Sequence, residues 1–137
     1  SPSVARVLEV MDSERVAVAT ALGIRARTAV EWLGTAYGAR GKDLYEAVLD
    51  TAGYSGIKAP ATVQHRYIFE DVPASLVPMA SLGEVLGVPT PTIRNIIHLA
   101  SVVHEVDYWT LGRTADRLGL VGLSPSEIRR RVMEGGV

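Results

Sequence analysis

Helix-start signals recur along this chain, and they constrain its fold more than any other feature. Ser1-Pro2 puts a capping hydroxyl before a proline suited to a first helical turn. Thr28 and Glu31 have the spacing of a capping box, as do Asp43 and Glu46, and Ser124-Pro125-Ser126-Glu127 combines the box with proline at the first helical position. Thr90-Pro91 repeats the cap-then-proline pattern. A chain punctuated in this way is expected to be a set of short helices.

Periodicity fills the intervals. Val4, Val7, Leu8, Met11, Val16, Ala19 and Leu22 recur at roughly helical spacing, and Gly23 can end that helix. The next two helices are expected to run to about Tyr37 and about Ala52, kept short by Gly34, Gly38, Gly41 and Gly53. Tyr54 to Phe69 is the least helical stretch. Pro73 favours a helix beginning at Asp71 or Val72 and closing at Gly87, with a kink or reset at Pro78. Ile93, Ile96, Ile97, Ala100, Val103 and Val106 make one apolar stripe after Pro91, and a short helix is expected over Thr114 to Leu118. No run alternates convincingly as a strand. The reading is all-α: one helical domain over residues 1–137, with about six to eight helices.

Composition removes several classes of function. With 47% hydrophobic and 21% charged residues, the 137-residue chain can bury an ordinary core. A net charge of −1 gives no electrostatic case for nucleic acid or an anionic membrane. Arg129-Arg130-Arg131 lies beside Glu127 and Glu134 and reads as a solvated helix face. The absence of cysteine excludes disulfides and thiolate metal sites. No apolar run approaches the ~18–20 residues of a membrane span, and the N-terminus lacks a signal peptide's layout, so the expected location is cytoplasmic.

Common site motifs are missing. Gly34, Gly38 and Gly41 do not have dinucleotide-loop spacing and follow a helix instead of a strand. Gly41-Lys42 is followed by Asp43, where a phosphate loop needs Ser or Thr. His98 and His104 are six apart on one helix and face different ways, outside the usual two-ligand spacing. With His65 they read as structural histidines, and no metal site is expected. The few aromatics read mostly as core fillers or helix-end packing.

The segment from His65 to Pro73 is different, because it crowds an arginine, two carboxylates and a proline together. Arg66 offers a planar fork that grips a carboxylate through two parallel hydrogen bonds. Asp71 has two available tasks. It can cap the expected helix, or it can hold a histidine in one tautomer, as the acid of a His–Asp pair does. On one continuous helix the two side chains would stand about 140° apart. A shared site therefore calls for a change of backbone direction between them. Local chemistry alone favours a cap and a surface ion pair.

The same segment, Arg66-Tyr67 followed by Glu70-Asp71-Val72-Pro73, resembles the signature of the opine dehydrogenases of octopine and nopaline type. The resemblance extends to the family's C-terminal helical domain over nearly the whole chain. It includes Tyr54-Ser55-Gly56-Ile57-Lys58-Ala59-Pro60, Ser81-Leu82-Gly83 and Gly87-Val88-Pro89-Thr90-Pro91-Thr92. It ends with Tyr108-Trp109, Gly112-Arg113-Thr114 and Arg117-Leu118-Gly119-Leu120. The order and spacing of these pieces carry it, and it implies a helical domain like the C-terminal domain of 6-phosphogluconate dehydrogenases.

In that family an N-terminal Rossmann domain binds NAD or NADP, and the helical domain closes a cleft over an amino acid and a 2-oxo acid. The imine they form is reduced by hydride. The resemblance implies that Arg66 binds a substrate carboxylate and that Asp71 pairs with the catalytic histidine. That histidine is expected just upstream of Ser1. None of His65, His98 or His104 matches its position, so this chain alone is expected to be inactive, whether it is a piece of a longer protein or a separately encoded domain. Two alternatives stay open. One is a non-catalytic interaction module, including a homodimer formed through the Pro91–Val106 stripe. The other is the helical domain of a related dehydrogenase acting on a hydroxy acid.

Overall fold

The computed structural model describes residues 1–135, and no strand occurs among them. Helix α1 spans Pro2–Ala21, α2 Ala29–Tyr37 and α3 Leu44–Asp50. A 3-10 turn, Ala52–Tyr54, leads into an exposed segment over residues 55–65. Helix α4 is Arg66–Asp71, and a π-helical turn, Val72–Leu76, joins it to α5, Val77–Leu86. Then come α6 (Pro91–His104), α7 (Tyr108–Leu111) and α8 (Pro125–Glu134). The expected capping boxes at Thr28 and Ser124 are both present.

Three acids of helix α1 tie it to the starts of α2, α3 and α6. Glu9 accepts the Leu44 N–H at 2.8 Å, Asp12 the Ala29 N–H at 2.7 Å, and Glu14 the N–H groups of Thr92 and Ile93 at 2.8 and 2.9 Å. One first-turn donor of α3, one of α2 and two of α6 are thereby satisfied, and each helix dipole meets a negative charge. This arrangement corrects the expected inner face of α1. Ala5, Glu14 and Val18 are buried, whereas Val4, Val7 and Leu8 are exposed. Thr90 does stand at the cap position expected for α6, but its side chain makes no capping bond.

Three apolar clusters hold the helices. Val72, Val77, Ala80, Ile93, Ile97 and Tyr108 form the central one. Leu22, Ala115, Leu120 and Ile128 dock α8 against the end of α1, and Leu33, Leu44 and Ala47 join α2 to α3. Ile93 and Ile97 of the apolar stripe are core residues, with Ala100 and Val106 packed against them. The triple arginine does more than face solvent. Arg129 donates to the Leu22 carbonyl at the end of α1, and Arg131 donates to the Gly119 carbonyl.

Two boundaries differ from expectation. The helix after the exposed segment starts at Arg66, several residues before Asp71, because His65 caps it: Nδ1 accepts the Tyr67 N–H at 3.3 Å. The short helix near the C-terminus is Tyr108–Leu111, started by Asp107, while Thr114 to Leu118 is a turn.

The reset expected at Pro78 occurs immediately before it. In the π turn the Val77 N–H reaches back five residues to the Val72 carbonyl. The Pro73 carbonyl thereby loses its α-helical donor, and its π-helical donor would be Pro78, which has no N–H. It accepts the Arg113 N–H at 3.0 Å instead. Gly112 permits this approach. A Cβ there would overlap the Val77 side chain.

Candidate functional site around helix α4

Helix α4 is one short, uninterrupted helix, so Arg66 and Asp71 do stand about 140° apart around its axis. The change in backbone geometry comes after Asp71, in the π turn, and not between the two residues. Ile68 and Val72 anchor the helix on the central cluster. Arg66, Tyr67, Glu70 and Asp71 occupy the opposite, exposed side, with Arg66 and Asp71 at its two margins.

The local reading of the sequence is not what the structure shows. Asp71 is the last residue of α4, not the cap of a helix starting there, and makes no capping bond to the π turn. Among the described residues the ion pairs are Arg15–Asp12, Lys42–Glu46 and Arg94–Glu84, and neither Arg66 nor Asp71 takes part. The Arg66 guanidinium lies 5.5 Å from the centre of the Tyr67 ring. Arg66 and Asp71 thus sit on the outer face of a helix whose inner face is fixed.

The start of α4 is tied down by a residue that sequence spacing gave no reason to select. His104, the last residue of α6, places Nε2 2.9 Å from the Val63 carbonyl and Nδ1 2.6 Å from the Tyr108 hydroxyl. Its ring also lies 4.8 Å from Phe69 of α4. Burial pushes the Tyr108 phenol above its ordinary pKa. His98, by contrast, is exposed and borders a groove of about 620 Å³ along α6 and α7. Arg94 also lines that groove, with its guanidinium 4.5 Å from the Trp109 ring centre. Neither Arg66 nor Asp71 borders it. No group of three or more His, Asp or Glu residues suited to a metal ion occurs among the described residues. No helix among them is long and apolar enough to cross a membrane.

The family described as NAD/NADP octopine/nopaline dehydrogenase, alpha-helical domain, matches residues 1–104. An opine dehydrogenase of Arthrobacter sp. is 39% identical over 132 residues, covering 96% of this chain and 37% of that protein. The protein ocs of Agrobacterium tumefaciens is 32% identical over 120 residues, 88% of this chain and 34% of its own length. The vitopine synthase of Allorhizobium ampelinum is 30% identical over 127 residues, 93% of this chain and 35% of its own. This chain therefore spans about a third of the length of the curated relatives it matches.

Proposed function

Because the chain belongs to the octopine/nopaline dehydrogenase family, an NAD/NADP-dependent family, through its alpha-helical domain, we propose that it is the substrate-binding part of an opine dehydrogenase. The reaction is the reductive condensation of an amino acid with a 2-oxo acid. One observation carries this reading. Arg66 and Asp71 lie exposed at the margins of the outer face of α4, and no residue of the described chain pairs with either.

Such a face is completed by a surface brought from elsewhere. Both substrates carry carboxylates, and Arg66 would grip one of them through its guanidinium fork. Asp71, at the far margin of the same face, would hold an imidazole from a second domain in the tautomer needed for proton transfer. The about 140° between the two residues suits a cleft that wraps the helix, with the substrate carboxylate on one side and the acid/base pair on the other.

The residues of this chain do not fit a dinucleotide. Among the described residues no strand precedes a glycine loop of the required spacing, and such a loop depends on that strand-to-helix turn. The cofactor would therefore be held by another part of the protein. The test is the oxidation of NADH or NADPH by the longer protein carrying this domain. Turnover should require an amino acid and a 2-oxo acid together. Turnover with a 2-oxo acid alone would instead favour a hydroxy-acid dehydrogenase.

A further inference from the structure

The His104 imidazole joins three pieces of the chain that are distant in sequence. A carbonyl oxygen only accepts, so Nε2 carries the proton in the bond to Val63. In the neutral ring Nδ1 then accepts from the Tyr108 hydroxyl, which belongs to a core residue only 2% exposed. The pattern of partners fixes the tautomer without any further group. Val63 lies in the exposed segment just before α4, and Phe69, which meets the ring face, lies within α4. The imidazole thus holds the approach to Arg66 and the turn after it against the central core.

Apart from the apolar contact of Ile68, little else ties this end of α4 to the rest of the chain. The other side-chain hydrogen bonds here are local, from the Tyr67 N–H to His65 Nδ1 at 3.3 Å and from the Thr62 hydroxyl to the Gln64 carbonyl at 3.5 Å. The anchors Ile68 and Val72 fix how deep the helix sits. Ile68 belongs to the first turn as well, so what Val63 and Phe69 add through His104 is the lateral setting of that turn, and with it the direction in which Arg66 leaves it.

We propose that His104 is a positioning residue: through Val63 and Phe69 it sets the first turn of α4 and so aims Arg66 at its ligand. The clamp follows from the geometry alone, while the ligand's identity as a carboxylate rests on the functional reading above.

Two arms test it. In the 137-residue chain, His104→Ala should speed amide exchange of Tyr67, Ile68 and Phe69 by about tenfold while α2 and α3 keep their rates. His104→Gln keeps an N–H for the Val63 carbonyl and should recover most of the protection. The His104 ring should also give ¹⁵N shifts of the neutral Nε2–H tautomer. Unchanged exchange at those amides, or a rise spread equally over α2 and α3, overturns the clamp. In the longer enzyme, His104→Ala should raise KM for the carboxylate substrate about tenfold, leave kcat nearly unchanged, and be rescued by His104→Gln. A fall in kcat with KM intact overturns the positioning role. If the wild-type enzyme shows no such turnover, the functional reading fails, and the exchange arm still decides the clamp.

Discussion

The Arg113 N–H donates to the Pro73 carbonyl at 3.0 Å, across the gap between the segment after α7 and the π turn after α4. Two prolines five residues apart produce this bond. Pro78 cannot supply the N–H that a π turn would offer to Pro73, so the vacant carbonyl is met from another part of the chain. The end of the Arg66–Asp71 helix is thereby joined to the Gly112-Arg113-Thr114 turn.

Gly112 should be hard to replace, because an added Cβ would overlap Val77, which is fully buried. Gly112→Ala is expected to cost about 1–3 kcal/mol through overpacking. Thermal unfolding gives the loss, and faster exchange of the Arg113 amide would localise it. A variant of unchanged stability would mean that the turn and α5 are less closely packed than described.

Glu14 gives a second prediction. Its carboxylate is 8% exposed and takes two N–H groups at the start of α6, so Glu14→Ala leaves those donors without an acceptor. A loss of about 2–3 kcal/mol is expected. Glu14→Gln keeps one oxygen acceptor and should lose roughly half as much. Urea unfolding of the two variants checks the order, and equal stabilities would contradict the capping role.

Glu127 predicts a pH effect. Hydrogen bonds from the Ser124 hydroxyl and backbone N–H hold its carboxyl below the usual glutamate pKa. A carboxyl whose pKa is lowered on folding stabilises fully above its unfolded value, and that contribution disappears as pH falls through the lowered folded value. The start of α8 should therefore stay capped at mildly acidic pH and loosen only below the ordinary glutamate range. A carboxyl ¹³C titration of Glu127 should have a depressed midpoint that Ser124→Ala moves back up. An ordinary midpoint in the wild type would rule out this account of the cap.

The sequence showed most of what local rules control. Capping boxes at Thr28 and Ser124 and proline at helix starts are short-range signals, and they placed α2, α6 and α8 correctly. Contacts that cross the chain were not legible. The inner face of α1 is set by where Glu9, Asp12 and Glu14 find helix starts, and those partners lie as many as 79 residues away. The start of α4 carries no familiar signal, because histidine is not a favoured cap and His65 acts through its ring nitrogen. Nothing in the spacing of His104 reveals a distant carbonyl at Val63. Arg66 and Asp71 stand out only through the resemblance, and the cap and ion pair favoured by local chemistry do not occur among the described residues.

Steady-state kinetics of a longer protein carrying this domain decide whether the outer face of α4 is half of an active site. Both residues are exposed and unpaired within the described chain, so substitutions should leave stability within about 0.5 kcal/mol. Arg66→Ala is expected to raise KM for a carboxylate substrate by about 10²-fold, and Asp71→Asn to lower kcat by about 10²–10⁴-fold. Wild-type turnover in both variants would contradict this role of the α4 face.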